Sequence, residues 1–170
     1  SSLDPSIVNA PRDEKLKYLF PDGLPTSKSE MQRYLTTISI TAPDANGVYH
    51  TFNTQVHKEV ANDVQNAMQE IINAGFPINS FACYSWRGMT GNRDVTSHHS
   101  YGVACDINPD QNYQIKNGQI LVGSYWKPGE DPYSIAENSV VVTTFAKYGW
   151  SWGGSWTSSK DYMHFSFTGY

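Results

Sequence analysis

Cysteine is scarce in this chain: two residues, Cys83 and Cys105, among 170. Two are too few for a disulfide-built scaffold and lack the close spacing of a thiolate metal knuckle. Cysteine is among the most often buried residue types, so the expectation is two free thiols in the core. Positive charge is scarce as well. Twelve basic residues, only four of them arginine, face sixteen acids for a formal charge of −4. With no basic run there is no footprint for nucleic acid or an anionic membrane. No apolar stretch approaches the roughly 18 residues needed to span a bilayer, so no membrane insertion is expected. Internal repeats and low-complexity tracts are missing too. The first residue is Ser1 rather than Met, and the charged stretch Arg12 to Lys17 is not followed by the apolar core of a signal peptide. A processed or trimmed chain is therefore expected.

What is present suits one folded unit. A chain of this length with 39% hydrophobic residues can bury a sizeable core, so a single domain over residues 1–170 is expected, acting as a monomer. Residues 1–55 read as a strap and hairpin extension and 56–170 as the main body. The strap, Ser1 to Pro25, ends in a Pro-Asp-Gly turn. Ser27 with Glu30 three residues on has the form of a capping box for a short helix. Thr36–Thr41 and Val48–Thr54 flank a Pro-Asp-Ala-Asn-Gly turn, which predicts a β-hairpin. Val60, Val64, Ala67, Met68, Ile71 and Ile72 recur at helical spacing, with Gly75 and Pro77 as stops. Strands are predicted over Ile78–Trp86, Gly102–Asn108 and His164–Thr168, and a second helix near Ser139–Tyr148. Between Asn108 and Asp131 the sequence reads as a loop with a small hairpin around Ile115–Leu121.

Chemistry concentrates in two segments, Ser97-His98-His99-Ser100-Tyr101-Gly102-Val103-Ala104-Cys105-Asp106 and Asp161-Tyr162-Met163-His164. Two imidazoles and a carboxylate form the ligand set of a catalytic zinc, which keeps a further position open. In a strand, Gly102, Ala104 and Asp106 share one face while Val103, Cys105 and Ile107 take the other. His164 and Ser166 likewise oppose Phe165 and Phe167. Composition alone does not separate His98 from His99, but a period of two would turn His98 away.

Ser97-x-His99-x-x-Gly102-x-Ala104-x-Asp106, followed by Gly149-Trp150-x-Trp152-Gly153-Gly154-x-Trp156 and Asp161-x-x-His164-Phe165, resembles the zinc D-alanyl-D-alanine carboxypeptidase and L-alanyl-D-glutamate endopeptidase family. The resemblance covers about Tyr84–Phe167, with a weaker likeness from the Val56-His57-Lys58 helix start. It implies an α+β fold of the Hedgehog and D,D-peptidase kind, a small antiparallel sheet carrying one zinc ion with helices packed behind it. It implies His99, Asp106 and His164 as zinc ligands, Asp161 as the general base, and Arg87 as the group that stabilises the oxyanion. Aspartate at the base position, where many relatives have glutamate, matches the phage endolysin-like branch. The family's glutamine soon after the arginine is not evident here. Ser97, Tyr101, Trp152 and Trp156 are candidates for the substrate side, and Arg93 for gripping a substrate carboxylate; the tryptophans also suit core packing. The activity implied is hydrolysis of peptidoglycan stem peptides between L-Ala and D-Glu, with removal of a terminal D-Ala as the alternative. A catalytically silent wall-binding module is the reading from another class. Such a substrate places the protein's action outside the cytoplasmic membrane, by secretion or by phage release.

Overall fold

The computed structural model describes residues 1–170. Two short helices, α1 (Pro5–Val8) and α2 (Arg12–Leu19), shape the opening strap. Their formation is a departure from the plain strap expected from the sequence, and the reason is local. Asp4 caps α1 by accepting from the Ser6 amide, while α2 turns Lys15 and Leu19 inward instead of an apolar stripe. Helix α3 (Lys28–Met31) begins at the predicted cap, where the Ser27 hydroxyl accepts from the Glu30 amide at 3.1 Å. The Glu30 carboxylate reaches back one residue further than a capping box requires, to the Thr26 amide.

Strands β1 (Leu35–Pro43) and β2 (Tyr49–His57) form the predicted hairpin, in register from Leu35 opposite His57 to Pro43 opposite Tyr49. Ile38, Ile40 and Ala42 alternate inward from β1 against α4 (Ala61–Asn73), whose Val64, Ala67, Met68 and Ile71 are buried. The structure is mixed, with small antiparallel sheets and a few helices, as the α+β expectation requires.

The central sheet has four strands in the order β3 (Phe81–Ala82), β6 (Ala104–Ile107), β11 (His164–Ser166), β9 (Ser151–Trp152). Helix α5 (Val140–Lys147) backs it, with Phe145 stacked on Phe165 at 4.8 Å between ring centroids. The remaining strands make two smaller sheets. β4 (Gly88–Met89) and β5 (Asn92–Thr96) pair around a turn at Thr90-Gly91, a hairpin the sequence did not announce because every residue of β5 is exposed. β7 (Asn112–Lys116), β8 (Gln119–Trp126) and β10 (Ser159–Asp161) form the other. The β7–β8 hairpin is longer than the one expected around Ile115–Leu121, because buried Asn112 and Gln114 give β7 a polar inward face.

One expectation is overturned outright. Cys83 and Cys105 are joined in a disulfide instead of being free thiols. The β3–β6 register sets Phe81 opposite Ile107 and Ala82 opposite Asp106, and its continuation brings Cys83 opposite Cys105.

Candidate metal centre

Three elements converge on one point. The β6–β11 register places Asp106 directly opposite His164 and Ala104 opposite Ser166, on the sheet face away from Cys105 and Phe165. His99 arrives from a single 3-10 turn, His98–Tyr101, capped by the Ser97 hydroxyl and closed by Gly102. Gly102 has φ +68°, and a Cβ there would lie 2.6 Å from the His57 amide nitrogen, so the turn into β6 admits only glycine. Because the segment is a turn and not a strand, the alternation that would have turned His98 away does not operate. His98 and His99 both point inward.

The imidazole tautomers follow from their partners. His99 Nδ1 donates to the Cys83 carbonyl at 2.7 Å, and His164 Nε2 donates to the backbone oxygen of Tyr170 at 2.8 Å. A carbonyl can only accept, so His99 Nε2 and His164 Nδ1 each keep a lone pair. These two nitrogens stand 3.2 Å apart, with Asp106 Oδ2 3.2 Å from His99 and Asp106 Oδ1 3.4 Å from His164. Asp106 Oδ1 is buried with no hydrogen-bond partner. Three acceptors facing one another are the arrangement that a bound cation would satisfy. A tetrahedral ion with bonds of about 2.0–2.1 Å spaces its ligands about 3.3 Å apart, close to the separation of the two imidazole nitrogens and of each from its nearer Asp106 oxygen. The residues therefore fit a metal, His99, Asp106 and His164 being the group whose ligand atoms lie within 4.8 Å of one another.

The carboxylate and the imidazoles also set one another's charge. Burial works against the imidazolium of His99, but the Asp106 carboxylate outweighs it and raises the pKa. Burial likewise opposes ionisation of Asp106, yet His99 and His164 hold its pKa well below the usual carboxylate range. Burial lowers His98 to about 4, assisted by Arg12, so His98 is neutral near pH 7.

Asp161 ends β10, and the Tyr162-Met163 turn separates it from His164, leaving its Oδ2 3.9 Å from His164 Nδ1 and its Oδ1 buried without a partner. Burial pushes its pKa up to about 7; His164 and Arg87 pull it down and Asp106 pushes it further up. Gly153 makes room here, since a Cβ on it would lie 2.5 Å from the Asp161 carbonyl oxygen and 3.2 Å from the His164 Cβ.

Arg87, Ser97, His99, Asp106, Trp156, Asp161 and His164 all line one cleft. Arg87 is held through its backbone, its amide donating to the Ser100 hydroxyl at 2.8 Å, and its guanidinium has no carboxylate partner. The structure does not bring the other three sequence candidates to the cleft. Arg93 is exposed, donating to the Gly88 carbonyl. Tyr101 is buried against Phe20 and His98. Trp152 is buried too, its indole donating to the Tyr162 carbonyl at 2.8 Å. Sequence reasoning missed Gln114, whose residue pairs with Asp161 across β7 and β10, and Tyr170, both of which face the cleft. The polar alternation Asn112, Gln114 was the available signal for the first; nothing local pointed to the second.

Residues 90–167 match a family model described as D-alanyl-D-alanine carboxypeptidase. The match spans both ligand-bearing segments, and it supports a hydrolytic peptidase. Neither a search of curated proteins nor one of solved structures found a match.

Proposed function

We propose that this protein is a zinc peptidase that hydrolyses the stem peptides of bacterial peptidoglycan, cutting the bond between L-Ala and D-Glu outside the cytoplasmic membrane. The observation that carries the reading is the convergence of His99, Asp106 and His164 with Asp161 and the unpaired Arg87 in one cleft. His99 Nε2, Asp106 and His164 Nδ1 would hold the ion. When bound, zinc supplies Lewis acidity, polarising the scissile carbonyl and acidifying water. The Asp161 carboxylate accepts the proton of the attacking water and passes it to the leaving amine. The Arg87 guanidinium donates to the oxygen on which charge develops. Trp156, tilted over His164 at 5.2 Å, walls the reacting centre.

An internal bond is favoured by the shape of the cleft. Through Met89, Thr90, Gln114, Trp156 and Tyr170 it shares a wall with a second groove of about 580 Å³, leaving space for substrate to continue past the centre. The description of the matching family model favours a second reading, release of a terminal D-Ala. Mass spectrometry of products from purified peptidoglycan, with chelator and with zinc restored, separates them. New N-terminal D-Glu that disappears with chelator is expected. Free D-Ala alone would move the reading to the carboxypeptidase, and no product at all would replace both with a binding module.

A further inference from the structure

Helix α2 lies outside the stretch matched by the family model, yet two of its side chains grip the backbone that aims a metal ligand. Arg12 Nε donates to the Thr168 carbonyl at 2.8 Å, and the guanidinium carbon lies 3.2 Å from the centroid of the Tyr170 ring. One turn on, Lys15 Nζ donates to the Phe167 and Gly149 carbonyls, each at 2.8 Å. The same short segment supplies the Tyr170 backbone oxygen that receives the His164 Nε2 proton. From the cleft side His98 completes the enclosure, through Nδ1 to the Thr168 hydroxyl and an edge contact with the Tyr170 ring at 5.1 Å.

An imidazole ligand is aimed by whatever holds its distal N–H, and loss of such a partner typically weakens metal binding about 10- to 100-fold. A backbone oxygen is only as fixed as the chain that carries it. Strand β11 ends at Ser166 and the Phe167 amide still donates to the Val103 carbonyl at 3.0 Å, so it is residues 168–170 that have no ladder hydrogen bonds to fix them. Arg12 has no carboxylate partner; its half-buried charge is satisfied by the Thr168 carbonyl and the Tyr170 ring.

We propose that Arg12 is a positioning residue for the metal centre, acting through Tyr170 on His164. The proposal rests on the zinc reading of the site. Its test is the zinc affinity of the full chain, measured by competition with a chromophoric chelator, together with the visible spectrum of the cobalt-substituted protein. Arg12→Ala and Tyr170→Ala should each weaken zinc by about 10-fold or more and shift the cobalt bands. The double variant should lose no more than the weaker-binding single variant, since both act through one contact. Tyr170→Phe, which keeps the ring, and Lys17→Ala, on the exposed side of α2, should match wild type. Zinc affinities within twofold of wild type for both alanine variants, or losses that multiply in the double variant, would overturn it. Should Arg12→Ala fold poorly, Arg12→Lys takes its place: it keeps the charge but not the guanidinium that both donates to Thr168 and covers the Tyr170 ring, so it too should weaken zinc, and wild-type affinity in it would overturn the proposal. A wild-type protein that binds no zinc would instead remove the zinc reading itself.

Discussion

Two carboxylates close to the same histidines differ in their surroundings. Asp106 stands between two imidazoles, which stabilise its anion, whereas Asp161 has an unpartnered oxygen and no hydrogen-bond donor within reach. A group so placed is free to take up a proton, while the Asp106 anion is held by its two imidazole neighbours. Asp161→Ala is therefore expected to retain stoichiometric zinc by atomic absorption while turnover on peptidoglycan falls by about 100-fold or more, the usual size of a lost general base. Concurrent zinc loss would mean that Asp161 is a ligand. The adjacent histidines make a second test at this scale. His99→Ala should lose the metal and His98→Ala keep it, because His98 Nδ1 is engaged with Thr168 while His99 Nε2 faces Asp106. Zinc content of the two purified variants reads this directly, and the reverse pattern would move the ligand by one residue.

Elements with a repeating pattern were legible in the sequence; those fixed by a distant partner were not. The β1–β2 hairpin and α4 announce themselves because two β-rich runs, Thr36–Thr41 and Val48–Thr54, flank a turn sequence and Val64, Ala67, Met68 and Ile71 recur along one helical face. So did the faces of β6 and β11, where the small or ligating residues and the core residues separate by parity. Strands β4, β9 and β10 have two or three residues each, too short to show any period, and of the strand expected over Ile78–Trp86 only β3 forms, two residues long. Their existence depends on neighbours that the linear order does not show. The disulfide belongs to the same class, since a separation of 22 residues says nothing until β3 and β6 lie side by side. It bears on the site as well: the Cys83 carbonyl holds His99, and Cys105 precedes Asp106. Thiol titration in denaturant should find no reactive cysteine without reductant and two with it. Replacing both by serine should lower unfolding stability by about 3 kcal/mol in urea titration; two free thiols in the untreated protein would contradict the pairing.

Across the whole molecule, the opening segment is tied to the rest by polar contacts from nearly every part of its length. Asp63 accepts from the Ser1 hydroxyl and the Ser2 amide, Arg12 and Lys15 hold residues 167–168, and His57 donates to the Leu19 carbonyl at 3.0 Å. Leu3, Val8, Leu19 and Phe20 join the common core. Lys15 gives this attachment a pH signature. Burial lowers its pKa to about 8 from an ordinary 10.5, so between those values the folded chain holds fewer protons on this group than the unfolded chain. Raising the pH through that window therefore favours the folded state, and below about pH 8 the cost of burying the ammonium is present in full. Lys15→Met should flatten this contribution; the difference between wild-type and variant unfolding free energies from pH 7 to 10.5 measures it, and an unchanged difference would reject the shift. The next stretch of chain is attached quite differently: Pro21, Asp22, Gly23 and Leu24 are exposed, and none of the side-chain contacts that anchor the opening segment passes through them. Peptide-bond continuity at that point contributes effective concentration and little else. Cleavage there would turn the first twenty residues into a separate peptide of the same protein, and the integrity of the candidate metal centre would become a question of that peptide's dissociation constant.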